Sequence, residues 1–375
     1  NFIGQAYSSK TNYELALKNY ETALELQLKY NPDNLDLLST CYHNIGLLHK
    51  EKKGDANISL ALKYYEAALQ LGLSSSERDE CLIATTINNI TTLRPNTDPN
   101  QIDNSIENLK LVLDIRSKYL PEAHPLIGIT HSTLGEAYCA KGDYSLGSKH
   151  FEQSLKIKQK YLPENHPSII ITYFDIARLY LDKGHLENIF NDTQNGNNSF
   201  LLSLHYYQHI LQSTSPNYEN IALIYNNMGL IHTRMNQFEK AFNCLQFAKN
   251  IYDQYLPSDH INLGAWYKNM GKVYTFKGDY QQGLDYYKKA LEFYHTITTS
   301  EKEIYYALIY FNIGELYELS HNFIDALEYY QISLELVSKI QPSTHKDLLE
   351  PKYAIERLKK NRKKSYRKCF RCSCS

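Results

Sequence analysis

"NMGKVYTFKGDYQQGLDYYKKAL" occupies residues 269–291. It holds one small residue, Gly271, in a first apolar stretch, and a Lys-Gly-Asp-Tyr punctuation at 277–280. In the stretch that follows, Gly283, Tyr287, Ala290 and Leu291 stand at i, i+4, i+7 and i+8. That spacing is one stripe of an amphipathic helix. Glycine closes a helix in a left-handed cap, and an aspartate after it accepts from the free backbone N–H groups that open the next helix. The 23 residues therefore predict two antiparallel helices joined by a tight turn.

The same frame recurs along the chain. "NIGLLH" (44–49), "NMGLIH" (227–232) and "NIGELY" (312–317) repeat it closely, as do "FIGQAY" (2–7) and "TLGEAY" (133–138). "NITTL" (89–93) and "DIARLY" (175–180) fit with Thr91 and Ala177 in the glycine position. The small residue thus falls at 4, 46, 91, 135, 177, 229, 271 and 314. A single helix pair cannot bury its stripe alone, whereas stacked pairs share a continuous core. The spacing predicts an all-α solenoid of about eight antiparallel helix-pair repeats. They cover roughly 1–30, 35–77, 79–120, 125–162, 167–213, 218–256, 260–298 and 302–340. Pro95 and Pro99 predict an early end to the first helix of the third repeat. In the fifth, "ENIFNDTQNGNNSF" (187–200) is polar enough to read as an inserted loop.

Three stretches, "YLPEAHP" (119–125), "YLPENHP" (161–167) and "YLPSDH" (255–260), fall between one pair and the next. Their histidines sit beside acidic or polar residues, as catalytic or metal-binding groups do. They nevertheless recur once per repeat, each on its own turn, whereas a metal needs ligands converging on one point. They read as punctuation: Leu-Pro stops one helix, and the second proline suits the first turn of the next. No phosphate loop, dinucleotide fingerprint, zinc-protease helix or nucleophile elbow is present in the sequence. No catalytic residue, metal site or cofactor is expected.

Composition agrees with an elongated, half-buried surface. Of 375 residues, 33 are tyrosine and one is tryptophan, and these amphipathic rings suit such a surface. Residues 352–375 carry ten of the 40 Lys/Arg and one of the 41 acids, leaving 30 and 40 for residues 1–351. An acidic body argues against a nucleic-acid surface there. Seven cysteines, four of them scattered singly, do not make a disulfide framework and point to a reducing, cytoplasmic setting. No run of 18 apolar residues is present. The chain starts at Asn1 rather than Met, and is expected to be cut from something longer.

The repeat resembles the tetratricopeptide repeat. The likeness is carried by Gly46, Gly229, Gly271 and Gly314, by Tyr138, Tyr274 and Tyr317 three positions after a glycine, and by Ala16, Ala61, Ala241 and Ala326. The longer period, with its "LP..HP" turns, is similar to that of kinesin light chains. The resemblance covers residues 1 to about 340. It implies a right-handed superhelix whose first helices (A) line a concave groove that binds peptides, with the second helices (B) outside.

Groove residues can be picked by spacing. Positions three before and one after the glycine share one side of helix A. These give Asn226, Lys268, Lys272 and Phe311, with Arg234 one turn further on. Two positions before the glycine, Asn44, Asn89, Asn227, Asn269 and Asn312 form a row. Their carboxamides can grip both N–H and C=O of an extended peptide, or tie neighbouring repeats together. Lys268, Lys272 and Arg234 would suit an acidic peptide or a C-terminal carboxylate, or form a solvated helix face.

Residues 346–364 are expected to form a capping helix with Tyr353, Ile355 and Leu358 as apolar contacts, followed by a basic tail (365–375) ending in Cys369, Cys372 and Cys374. Three readings apply to that tail: a disordered end, attraction to anionic membrane or nucleic acid, or lipidation at Cys372, fourth from the end. Function is expected to be that of a non-catalytic protein-interaction scaffold. The alternatives are the regulatory or substrate-recruiting part of a larger enzyme, and a kinesin cargo adaptor.

Overall fold

The computed structural model describes residues 13–52, 55–93, 99–189, 192–213, 218–297, 302–340 and 350–360. Among the described residues every regular element is an α-helix. The order is α1 (Tyr13–Tyr30), α2 (Leu35–Lys52), α3 (Asp55–Ser74), α4 (Glu80–Leu93), α5 (Pro99–Tyr119), α6 (Pro125–Lys141), α7 (Tyr144–Tyr161) and α8 (Pro167–Ile189). Then follow α9 (Thr193–Ser213), α10 (Tyr218–Arg234), α11 (Phe238–Tyr255), α12 (Asn262–Lys277), α13 (Tyr280–Thr296), α14 (Lys302–Leu319), α15 (Phe323–Ile340) and α16 (350–360). Two compact units result, one on α1–α7 and one on α8–α16, apart from Pro99 and residues 139–148, which group with the second. Residues 1–12 with Gly4, the turn glycine at 54, Pro95 and the tail from 361 lie outside the described residues.

The small residue works as the spacing predicts. At Gly46 and Gly135 in the first unit, an added Cβ would come within 2.9 and 2.8 Å of the rings of Tyr65 and Phe151. In the second unit the same test brings Gly229 to 2.7 Å from Leu245, Gly271 to 2.6 Å from Tyr287 and Gly314 to 2.7 Å from Tyr330. Each time the partner lies on helix B, 16 residues on or, at Gly46, 19. The bare backbone of helix A is thus a socket for one large side chain of helix B. The rings of Tyr65, Tyr287 and Tyr330 are almost wholly buried.

The fifth repeat corrects the expected frame. Its socket is Gly184, where a Cβ would lie 2.8 Å from Phe200, 16 residues on; it is not Ala177. Ala177 stands seven residues earlier, and its carbonyl accepts from Ser203 Oγ at 2.6 Å, as that of Ala307, seven before Gly314, accepts from Ser333 Oγ at 2.8 Å. α8 is correspondingly long at 23 residues. The stretch expected to be a loop is helical at 187–189 and again at 193–200. Phe200 anchors the second piece, and Ser199 Oγ donates to Glu187 Oε2 at 2.7 Å, which gives the polar residues partners inside the pair. α4 is described as far as Leu93, and the early end expected at Pro95 falls outside the described residues.

The turns follow the sequence. Gly142 and Gly278 take φ of 86° and 93°. Asp143 and Asp279 accept from the N–H groups of Leu146 and Gln282 at 3.0 and 3.2 Å. Asn236 and His321 take the same left-handed conformation where no glycine is available. Between repeats, the N–H groups of His124, His166 and His260 donate to the carbonyls of Pro121, Pro163 and Pro257 at 2.8, 2.8 and 3.0 Å. Their ring Nδ1 atoms accept from the N–H of Leu126, Ser168 and Asn262 at 3.2, 3.2 and 3.4 Å. The imidazoles of His124 and His166 are helix N-caps, and that of His260 stands one residue before the N-cap Ile261.

Tyrosine abundance has a local cause. Three positions after the glycine, an aromatic of helix A stacks on one of helix B: Tyr274 on Tyr286 at 5.4 Å, Tyr317 on Tyr329 at 5.4 Å, and Tyr138 on His150 at 5.3 Å. At the end of the array, Ala354, Ile355 and Leu358 of α16 bury against Ala326 and Tyr330. Ala354 takes the contact expected of Tyr353, which instead lies 5.9 Å from the Arg357 guanidinium.

Two substitutions test this account by urea unfolding. Gly184→Ala is expected to cost about 1–3 kcal/mol through overpacking against Phe200, with part recovered by adding Phe200→Leu. His166→Ala is expected to cost about 1 kcal/mol, the loss of one N-cap.

Candidate functional site

In the second unit the A helices α8, α10, α12 and α14 form one wall, and α10 packs on α12 and α12 on α14. With Gly184 as the fifth socket, Leu181, Asn226, Lys268 and Phe311 occupy the position three before the glycine. His185, Leu230, Lys272 and Glu315 occupy the one after. An open depression of about 280 Å³ runs among them, bordered by Leu181, His185, Lys268, Asn269, Phe311 and Asn312, with Lys272, Asp182 and Glu350 also in its wall.

A polar chain lies beneath this surface. Arg234 Nη1 donates to Glu315 Oε1 at 2.9 Å, and Lys272 Nζ lies 3.4 Å from Glu315 Oε2. Lys272 Nζ also donates to Asn312 Oδ1 at 2.9 Å. The Arg234 guanidinium sits 4.9 Å over the ring of Phe276, and its Nε donates to His185 Nε2 at 3.2 Å. That bond places the imidazole proton on Nδ1, which faces Glu350 Oε1 at 3.7 Å. Side chains from α8, α10, α12, α14 and α16 thereby join in one network.

Burial by itself would raise the Glu315 carboxyl, but the adjacent Arg234 and Lys272 outweigh it and hold the group down at about 2. Burial, reinforced by the charge of Arg234, lowers the Lys272 ammonium against the pull of Glu315. The cluster is a compensated set of charges taken out of water together.

The sequence-predicted residues divide. Arg234, Lys268, Asn269, Lys272, Phe311 and Asn312 are brought together here. Asn226 is buried on α10, and its carbonyl accepts from Asn269 Nδ2 at 3.5 Å. Asn227 turns to α9, where its Nδ2 donates to Tyr207 OH at 3.0 Å. Asn44 and Asn89 lie in the first unit, and Asn89 Oδ1 accepts from Lys50 Nζ at 2.9 Å. Of the two roles open to the asparagines, the tie between neighbouring repeats is seen at Asn89, Asn227, Asn269 and Asn312. Only Asn269 and Asn312 also border the depression. Two of the three expected cations, Arg234 and Lys272, are engaged by Glu315.

Leu181, Asp182 and His185 escaped the sequence reading, because placing the socket at Ala177 set the groove positions one heptad too early on the same face, at Phe174 and Arg178. The signal was available: an aromatic stands 16 residues after Gly184, as it does after Gly135, Gly271 and Gly314. Glu350 left no such signal, since it comes from outside the repeats.

Glu315→Gln leaves two cations without their anion. It is expected to destabilise the protein by about 3 kcal/mol, and pairing Glu315→Leu with Lys272→Met to recover much of that. Because the folded carboxyl lies below its ordinary value, its contribution is full above pH about 4.5 and is lost as pH falls toward about 2. Urea midpoints of wild type and Glu315→Gln should therefore converge across that window.

Known proteins give the same picture. The tetratricopeptide-repeat family matches residues 126–188 and 220–295 in one form and 1–30 in another. No curated protein is a detectable sequence relative. Among solved structures, a Rap protein complexed with competence and sporulation factor is similar over 96% of this chain and 95% of its own, at 14% identity and a TM-score of 0.56. The Rap conjugation regulator of plasmid pLS20, complexed with the Phr* peptide, is similar over 84% and 77%, at 17% identity and 0.56. A putative kinesin light chain from Podosopora anserina is similar over 57% and 92%, at 18% identity and 0.44. The glycine sockets thus repeat from Gly46 to Gly314, and residues 126–188 and 220–295 carry the tetratricopeptide-repeat pattern.

Proposed function

We propose that the chain is a non-catalytic protein-interaction scaffold, and that its second unit binds an extended peptide segment along the A helices. The observation that carries this is the depression between α8, α12 and α14, where two carboxamides, an ammonium and a phenyl ring from successive repeats border one open surface. Asn269 and Asn312 offer amide groups at one-repeat spacing to a peptide backbone, and Phe311 offers an apolar seat. The structural likeness to Rap proteins solved with peptides is in keeping with this use of the fold.

The charge balance refines the partner. Glu315, with Glu350 nearby, offsets the charges of Arg234 and Lys272, and Asp182 and Glu350 line the same depression as Lys268. Recognition rests on backbone hydrogen bonds and one apolar side chain, with Lys268 contributing to a single carboxylate rather than to an acidic run. A reducing, cytoplasmic setting suits Cys41, Cys81, Cys139 and Cys244, which form no disulfide among the described residues.

Selection of displayed random peptides on the full chain tests this reading. Selected peptides are expected to lose about tenfold in affinity on Phe311→Ala or Asn269→Ala, the scale of a central contact worth about 1.4 kcal/mol. Asn227→Ala is expected to lower stability and leave affinity unchanged. Peptides indifferent to Phe311 and Asn269 would overturn the assignment.

A further inference from the structure

The last helix has a second contact set that a terminal cap does not need. Phe311, which borders the depression, also packs in the cluster that buries Ala354, Ile355 and Leu358. Glu350, the first residue of α16, forms part of the wall of the depression and faces His185 on α8. Two turns on, Arg357 Nη2 donates to both carboxylate oxygens of Glu318 at 2.7 Å. Glu350, Ala354, Arg357 and Leu358 stand at i, i+4, i+7 and i+8, so one stripe of α16 lies on the same wall as the candidate peptide residues.

We propose that α16 is a displaceable occupant of this groove, and that a partner binds by competing with it. The inference rests on the reading of the groove as a peptide site. A segment running over Asn269 and Asn312 toward the last repeat meets Phe311 where α16 covers it, and meets Glu350 at the edge. Both cannot hold Phe311 at once.

The attachment of α16 differs from that of the repeat helices. Six of the helix pairs are locked by glycine sockets, and the repeat helices run from 14 to 23 residues. The described part of α16 is 350–360, and none of its side chains fills a glycine socket. It is held by one apolar stripe and by contacts of Glu350 and Arg357, while Glu356, Lys359 and Lys360 face outward. Removing it exposes the stripe of α15 but breaks none of the glycine crossings.

The test uses the full chain and, as probe, a fluorescent synthetic peptide of residues 346–360. Glu356→Pro breaks α16 from its exposed side and alters no groove residue. The probe is expected to bind this variant at least tenfold more tightly than wild type by fluorescence anisotropy. Adding Glu318→Gln is expected to weaken it about fivefold. Equal binding to wild type and Glu356→Pro overturns the proposal. So does a loss of helicity in Glu356→Pro well beyond the length of α16, which would make the helix a fixed part of the core.

The two readings fail separately. If selected peptides depend on Phe311 yet bind wild type and Glu356→Pro alike, competition falls and the peptide site stands. If Glu356→Pro admits the 346–360 peptide but no foreign peptide depends on Phe311 or Asn269, the peptide site falls and the displaceable helix stands.

Discussion

The missing Cβ where six A helices cross their B helices is the constraint on which the rest depends. A tyrosine, phenylalanine or leucine of helix B fills the place a methyl group would take, at Cβ distances no real side chain tolerates. The close crossing then brings the next aromatic pair, three positions on, into stacking range. It also fixes which way every other residue of helix A points. Once the glycine is set, the positions three before and one after it face the common wall.

The same logic explains how a buried charge cluster can sit in that wall. Arg234, Lys272 and Glu315 come from three successive A helices, and none could be tolerated there alone. Their pairing joins the sixth, seventh and eighth repeats more specifically than apolar contact can, since a change in any one strands the others.

Much of the fold was legible because its determinants are local and periodic. The glycine, the "KGD" turn and the "LP..HP" junction each act within a few residues, and His124 and His166 cap the helices they introduce. The candidate site was legible where the frame was right, as at Lys268, Asn269, Lys272 and Phe311. It failed at the fifth repeat because Ala177 and Gly184 are both small and buried, and only the distant Phe200 tells them apart. The asparagines could not be resolved from spacing alone, since a carboxamide two before the glycine can reach either a neighbouring helix or open solvent. Glu350 was beyond reach because no repeat period governs the segment after α15.

The long α8 has a consequence for how such an array can vary in length. Seven residues separate Ala177 from Gly184, and seven residues of α-helix turn through nearly two complete revolutions, drifting only about 20°. A heptad inserted ahead of the crossing therefore returns the glycine to the same azimuth, still facing Phe200, with His185 still aimed at the wall. Three residues or five would rotate the socket away and present a side chain to the ring instead. Growth of an A helix in this family of shapes is thus quantised: steps of a heptad lengthen a repeat while preserving its phase.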